Sequence, residues 1–160
     1  LDPTARASTS SATGLFQFVD QTWLAMLHRR GAEHGYGDLA SSITRSSSGR
    51  YTVADGAVRE DVLGLRNDPR AASLMAAELA RENAGTIARR IGREPSDGEL
   101  YAAHFLGASK AADLIEEAER TPDRIAADMF PAEARSNRPV FYRAGRPLTL
   151  RQLLENLSGI

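Results

Sequence analysis

The chain has 160 residues, of which 42% are hydrophobic and 26% are charged, and this composition excludes a wholly disordered protein. Twenty basic and 21 acidic residues give a formal net charge of −1, which argues against nucleic acid as a partner because such binding usually needs a strongly basic face. Cysteine is absent, so disulfides, thiolate nucleophiles and cysteine-ligated zinc are excluded.

The N-terminal part has helical periodicity. Apolar residues recur at spacings of three and four along one stripe: Phe16, Val19, Trp23 and Leu27. This stripe predicts a helix from about Thr13 to Arg30, with Trp23 in the core. Residues 31–53 are rich in Gly and Ser and predict a long irregular segment, of the kind that is often functional in compact domains.

Helix-start signals organise the rest of the chain. Asp68 before Pro69 is typical of an N-cap and the first helical position. Two capping boxes occur, Ser96 with Glu99 and Thr149 with Gln152. These signals and the apolar periodicity predict further helices over about 54–66, 69–91, 96–107, 110–120, 121–130 and 149–157. Strand signals are nearly missing. The sequence therefore predicts one all-α domain over 1–160, with about seven short helices and a long Gly/Ser-rich loop.

Signals for a metal or a cofactor are missing. The three histidines, His28, His34 and His104, are scattered, and no His-Glu-x-x-His or calcium-loop spacing occurs. Neither a glycine-rich phosphate loop nor Gly-x-Ser-x-Gly is present. We therefore expect no metal and no cofactor, and we expect His28 and His34 to be exposed or to cap helices.

Two short motifs carry the functional prediction. Residues 10–18, SSATGLFQF, set the polar Gln17 between Phe16 and Phe18, which an ordinary amphipathic helix would not need. This stretch resembles the Gly-Leu-Met-Gln motif of the soluble lytic transglycosylase family, with Phe16 in place of methionine. Residues 100–107, LYAAHFLG, occupy the place of that family's Ala-Tyr-Asn-Ala-Gly motif and resemble a bacterial subgroup with His-Phe-Leu-Gly. The resemblance covers essentially the whole chain.

The resemblance implies a lysozyme-like fold and cleavage of peptidoglycan glycan strands. The family breaks the β-1,4 bond between N-acetylmuramic acid and N-acetylglucosamine and leaves a 1,6-anhydro ring. One glutamate serves as acid and then as base, since the sugar's own C6 hydroxyl has a high effective concentration. Asp2-Pro3 matches the end of the family's glutamate motif, so the resemblance implies a catalytic glutamate three positions before Leu1. The prediction therefore assigns no catalytic residue within 1–160, and it does not assign Glu33, Glu99 or Glu133 as the catalytic acid.

The same resemblance implies a set of substrate-binding residues: Ser8, Phe16, Gln17, Tyr101, His104 and Tyr142. Ser8 and Gln17 would line the cleft and hydrogen-bond the glycan or the acid; the alternatives are a turn-former for Ser8 and an exposed helix residue for Gln17. Phe16 would border the cleft or fill the core. His104 stands where the family has a tyrosine that hydrogen-bonds the acid, with a buried core histidine as the alternative.

The last two positions lie nearer the C-terminus. Tyr101 precedes His104 by one helical turn and could share its face, although core packing is favoured. Tyr142, in NRPVFY, would close the cleft from the C-terminal side.

Other functions stay open. A muramidase-type hydrolase would leave reducing ends, and a non-catalytic module would bind or scaffold peptidoglycan without cleaving it. A helical protein-interaction domain is a third class. The expected partner is the peptidoglycan glycan strand, the expected state is a monomer, and no run of about 18 apolar residues predicts a membrane span. Because the chain opens at Leu1 without methionine, we expect a longer gene product with a leader to the periplasm or cell envelope.

Overall fold

The structure, a computed structural model, describes Ala12 and residues 16–159. It is mainly α-helical, with 70% helix and 9% strand, which confirms the predicted fold class at that level. Residues Leu1–Leu79 and Ala80–Ile160 form two compact units. The single domain over 1–160 stays a prediction. No helix among the described residues is long and apolar enough to cross a membrane.

The first unit combines short helices with a β-hairpin. Its elements are α1 (Asp20–Arg30), a 3-10 turn (Gly31–His34), α2 (Gly37–Ser41), β1 (Ile43–Arg45), β2 (Tyr51–Val53), α3 (Gly56–Gly64) and a second 3-10 turn (Leu65–Asn67). The next helix, α4 (Pro69–Ile91), contains the boundary between the units. The buried core of the first unit comprises Phe18, Trp23, Leu24, Met26, Leu27, Ile43, Val53, Val62, Ala71 and Met75. Trp23 is fully buried, as predicted, and its Nε1 donates to the carbonyl of Val62 at 2.7 Å.

The first helix begins later than its periodicity predicts. It starts at Asp20 instead of about Thr13, and residues 13–15 lie outside the described part. Gln17 has φ +52°, a left-handed conformation that cannot continue a right-handed helix. Val19 is the extended N-cap and is 39% exposed, so its placement on the inward stripe was wrong.

Residues 31–53 are more regular than predicted. After α2, β1 and β2 pair antiparallel with Ile43 opposite Val53 and Arg45 opposite Tyr51. Ile43 and Val53 are buried, while the residues between the strands form an exposed turn. Gly49 has φ +84° in that turn, a conformation that favours glycine. The hairpin lacks an Asn-Gly signal and its strands have three residues each, which is why the pattern pointed to a loop.

The second unit is built from helices around one apolar core. Its elements after α4 are α5 (Asp97–Leu106), α6 (Ala108–Arg120), α7 (Ala126–Met129), α8 (Pro131–Ser136), α9 (Arg138–Phe141), β3 (Tyr142–Arg143), β4 (Arg146–Pro147) and α10 (Leu150–Ser158). The described residues thus contain ten α-helices where about seven were predicted. The additional ones are short, and Pro131 and Pro139 stand in the first turns of α8 and α9.

Local capping signals predicted the ends of the longer helices. Asp68 Oδ1 accepts from the amide of Ala71 at 2.7 Å at the start of α4. Both capping boxes form, at the start of α5 and of α10. Thr121 was expected to cap the segment after α6, but it is the C-cap of α6 itself and donates to Glu117 Oε1 at 2.7 Å.

Candidate functional site

The predicted glycan-contacting amide lies on a bend, not on a helix. Gln17 is exposed, and its φ of +52° is one of two positive values found at non-glycine residues in the described part of the chain. The other, Ala144, lies between β3 and β4. A non-glycine residue in this region carries backbone strain of order 1–3 kcal/mol, and such residues cluster at functional sites. The backbone of Gln17 is therefore held by its surroundings.

A buried arginine holds this bend. Arg66, 8% exposed, donates from Nη1 to the carbonyl of Phe18 at 3.1 Å and to Oδ1 of Asp20 at 2.7 Å. Its Nε donates to the carbonyl of Leu63 at 3.0 Å, which fixes the guanidinium on the second 3-10 turn. The Phe18 carbonyl therefore has a charged partner from 48 residues away. Sequence reasoning missed Arg66, because nothing in Leu-Arg-Asn-Asp distinguishes it locally.

The aromatic residues on either side of Gln17 anchor the bend by packing into the core of the first unit. Phe18 is buried and meets Trp23 edge-to-face, with 5.2 Å between ring centroids and 68° between ring planes. Phe16 is half-buried and packs against the same core, so its core role is supported. With an apolar residue on each side held inward, the side chain between them is presented outward.

A buried carboxylate in the first unit escaped the sequence analysis. Glu78 of α4 is 3% exposed, and its Oε1 lies 3.0 Å from His34 Nε2 in a hydrogen bond. Oε2 lies 4.0 Å from Nε of Arg30. His34 was expected to be exposed or capping, but it is half-buried because this carboxylate needs a partner. The available signal was a glutamate at the inward spacing set by Ala71 and Met75.

Two carboxylates of the second unit, Glu99 and Glu133, have the wrong properties for a catalytic acid. Glu99 accepts from both Nη atoms of Arg93, at 2.7 and 2.8 Å, and from the amide of Ser96 at 2.7 Å. The hydrogen bonds from Arg93 are the main cause that lowers the pKa of Glu99. Lys110 pairs with Glu133 and lowers its pKa in the same way. A general acid needs a raised pKa, so neither residue is suited to that role.

The second motif gives α5 an exposed aromatic face. Tyr101 and His104 are both exposed, with ring centroids 6.2 Å apart and planes tilted by 40°. The expected core packing of Tyr101 is wrong, since it is 39% exposed, and His104 is not a buried core histidine. Ala102 and Ala103 are buried on the inward side of the helix, whereas Tyr101 and His104 lie on its exposed side. The motif therefore places two rings capable of stacking on one helical surface.

Tyr142 follows α9 in β3. It is half-buried against the core of the second unit, and the guanidinium carbon of Arg138 lies 4.4 Å from its ring centroid, a cation–π distance. Phe105 is half-buried with its ring 6.3 Å from that of Phe141. Thus Phe105 and Tyr142 are both half-buried against the core, and Tyr142 lies beside a cation.

The structure thus brings Phe16 and Gln17 together in the first unit and Tyr101 and His104 together in the second. Tyr142 lies in the second unit with Arg138, apart in sequence from the aromatic pair. Ser8 lies outside the described residues. No protein-family model matches this chain.

Proposed function

We propose that this chain is the glycan-binding part of a peptidoglycan lytic transglycosylase. The observation that carries the proposal is the Gln17 bend, which holds an exposed amide in a strained backbone conformation between two inward phenylalanines. Amide side chains hydrogen-bond sugar hydroxyls as donor and acceptor at once. A strained polar residue fixed by a buried arginine is typical of a preorganised ligand contact.

The proposed reaction needs one carboxyl group. The acid gives its proton to the O4 oxygen of the leaving N-acetylglucosamine as the C1–O4 bond breaks. The same carboxylate then takes the proton of the muramic C6 hydroxyl while O6 bonds to C1, so the 1,6-anhydro ring forms without water and the acid is restored. In our proposal this glutamate stands three positions before Leu1, as the family resemblance implies. The lowered pKa values of Glu99 and Glu133 agree with leaving them out.

The aromatic pair on α5 supplies a second kind of glycan contact. Sugar rings present apolar C–H faces that stack on aromatic side chains, and Tyr101 offers such a face. His104 can donate or accept a hydrogen bond at the position where the family has tyrosine. In the proposal these residues give the second unit a glycan contact of its own.

Muropeptide analysis tests this function. The natural full-length protein is incubated with peptidoglycan sacculi, and the soluble products are identified by mass spectrometry. The proposal predicts products ending in 1,6-anhydro-muramic acid, and their loss when the glutamate three positions before Leu1 is replaced by glutamine. Reducing ends would assign a hydrolase instead. Absence of any product from the wild-type protein would overturn the enzymatic proposal.

One observation favours a second function, a non-catalytic peptidoglycan-binding module. The two buried carboxylates among the described residues, Glu78 and Glu99, both engage basic partners. A binding module would retain sacculi without releasing muropeptides. Sacculus co-sedimentation together with the digestion assay separates the two functions.

A further inference from the structure

A cationic cluster surrounds Tyr51 in the first unit. The Tyr51 cluster consists of Tyr51 with His28, Arg29 and Arg45. The Tyr51 ring centroid lies 5.5 Å from that of His28 and 5.9 Å from the guanidinium carbon of Arg45. The Tyr51 hydroxyl accepts from Nη1 of Arg29 at 3.4 Å. Two guanidinium groups and an imidazole thus gather around one half-buried ring, although they come from α1 and β1.

The backbone of the hairpin fixes this arrangement. Gln21 of α1 bonds both backbone polar groups of Tyr51, which sets the ring against the last turn of α1. At the hairpin tip, a Cβ added to Gly49 would lie 3.3 Å from Nη2 of Arg45. The glycine therefore leaves room for the Arg45 guanidinium to fold back over the turn. The strand pairing and Gln21 therefore fix the backbone that carries Arg45 and Tyr51.

Arg45 contributes the positive charge of the hairpin part of this cluster. Residues 39–54 contain Arg45 and Arg50 and neither Asp nor Glu. Among the described residues, no carboxylate lies within ion-pair distance of Arg45. A partner with negative charge therefore fits here, and the planar guanidinium favours a carboxylate or a phosphate that accepts two parallel hydrogen bonds.

The size and polarity of the cluster limit the classes of partner that it can bind. A membrane surface would call for apolar side chains that insert beside the cations. In the described part of the chain the exposed large apolar residues are Val19 and Tyr101, and neither belongs to the Tyr51 cluster. Nucleic acid would call for a longer basic stripe than two arginines. Two guanidinium groups beside one ring suit a ligand that presents isolated carboxylates.

We propose that the Tyr51 cluster docks the carboxylates of the peptide stems of peptidoglycan. The inference rests on the proposed function, because it takes the same polymer as the ligand. It adds a contact to the peptide part of that polymer, separate from the glycan contacts at Gln17. The peptide stems would then help to hold the strand, and strands with stems would be bound better than bare strands.

Co-sedimentation with two preparations of sacculi tests the inference. One preparation is intact Gram-negative sacculi, which carry peptide stems and no wall-linked phosphate polymer. The other is the glycan left after an amidase removes the stems. The charge reversal Arg45→Glu is compared with Arg70→Glu, which changes another exposed arginine of the same unit outside the cluster. Arg45→Gln separates loss of the charge from its reversal, and Arg45→Lys keeps the charge but removes the planar guanidinium.

The expected result is specific to intact sacculi. Arg45→Glu weakens binding to them by about fivefold, Arg45→Lys by less, and Arg70→Glu leaves it nearly unchanged. Raising the salt to about 0.5 M reduces wild-type binding toward that of Arg45→Glu, since exposed charges are screened. On stem-free glycan all four variants bind like the wild type.

Several outcomes overturn the inference. Equal losses for Arg45→Glu and Arg70→Glu would mean unspecific attraction, and a loss that persists on stem-free glycan would mean that the stems are not the ligand. Binding to vesicles of phosphatidylglycerol that depends on Arg45 would assign the surface to lipid. If the wild type binds intact and stem-free material equally, this inference fails while the proposed function stands. If it binds neither, the proposed function fails as well.

Discussion

The side chain of Gln21 pairs with the backbone of Tyr51 as a neighbouring strand would. Its Nε2 donates to the Tyr51 carbonyl at 2.9 Å, and its Oε1 accepts from the Tyr51 amide at 3.0 Å. A two-stranded hairpin is marginal in water without further support. The helix α1 supplies that support through one amide group, so the hairpin and the helix are stabilised together.

Loss of this pairing should destabilise the hairpin. In Gln21→Leu both backbone groups of Tyr51 lose their partner, and we expect the free energy of unfolding to fall by about 1–3 kcal/mol. Urea denaturation measures this change, and hydrogen exchange of the Tyr51 amide should become faster. Gln152→Leu is the control, because that exposed glutamine bonds one amide only, Thr149, and should cost less. An unchanged Tyr51 exchange rate would contradict the assignment.

Arg66 should matter far more than its neighbour Arg59, although both bond Asp20. Arg66→Met removes charged hydrogen bonds to buried and half-buried acceptors, and we expect a loss of about 1.5–3 kcal/mol in unfolding free energy. Arg59 is exposed, so Arg59→Met should cost about 0–1 kcal/mol. Thermal or urea unfolding of the two variants makes the comparison. Similar losses would show that burial of the guanidinium does not decide its contribution.

Replacing Gln17 should change stability and activity in opposite directions. Gln17→Gly removes the strain of φ +52°, so we expect it to raise the unfolding free energy by up to about 1 kcal/mol. The same change removes the amide, and muropeptide release should fall at least tenfold. Gln17→Asn, which also tolerates this backbone region, should keep part of the activity. A glycine variant with full activity would exclude the amide from the site.

Glu99 should make stability depend on pH in the acidic range. Since Arg93 lowers the pKa of Glu99, the unfolded chain binds a proton at this residue at a higher pH than the folded chain does. The stabilisation is thus complete above the ordinary glutamate pKa of about 4.3 and is lost as the pH falls through the lowered value. Urea unfolding at several pH values should show a shallower acidic decline for Glu99→Gln, which retains the capping-box geometry. Glu119→Gln, at an exposed neighbour of Arg93, should leave the decline nearly unchanged.

Gly98 allows the close approach of α5 to α10. A Cβ added there would lie 1.9 Å from Oγ and 2.7 Å from Cα of Ser158, so the backbone of α10 would have to move. We expect Gly98→Ala to lower the unfolding free energy by about 1–3 kcal/mol. Adding Ser158→Gly should restore only part of this loss, because the backbone of α10 still obstructs the added methyl group. Gly64→Ala is the control: no atom lies within 4 Å of its added Cβ, and it should stabilise α3 by about 0.5–1 kcal/mol.

The features predicted well from the sequence are those that neighbouring residues determine. The N-cap at Asp68 and the two capping boxes depend on hydrogen bonds that span three residues, and all three form. The end of α4 before Gly92, which has φ +73°, is equally local. All the residues that form such a signal lie within a few positions of one another in the sequence.

The features that were missed depend on distant partners. The bend at Gln17 is held by Arg66 from the second 3-10 turn, and the position of His34 is decided by Glu78, 44 residues later. The hairpin relies on Gln21, 30 residues before its second strand. The apolar periodicity predicts a first helix from about Thr13, because no residue near Phe16 indicates that Arg66 will contact this segment in the folded chain.

The anchoring of Phe18 by Arg66 has a consequence for protein engineering. The carbonyl of Phe18 depends on Arg66 for its charged partner, so moving residues 16–19 alone to another scaffold would transfer their sequence without this support. A successful transplant would have to bring the distant arginine and the short turn beneath it.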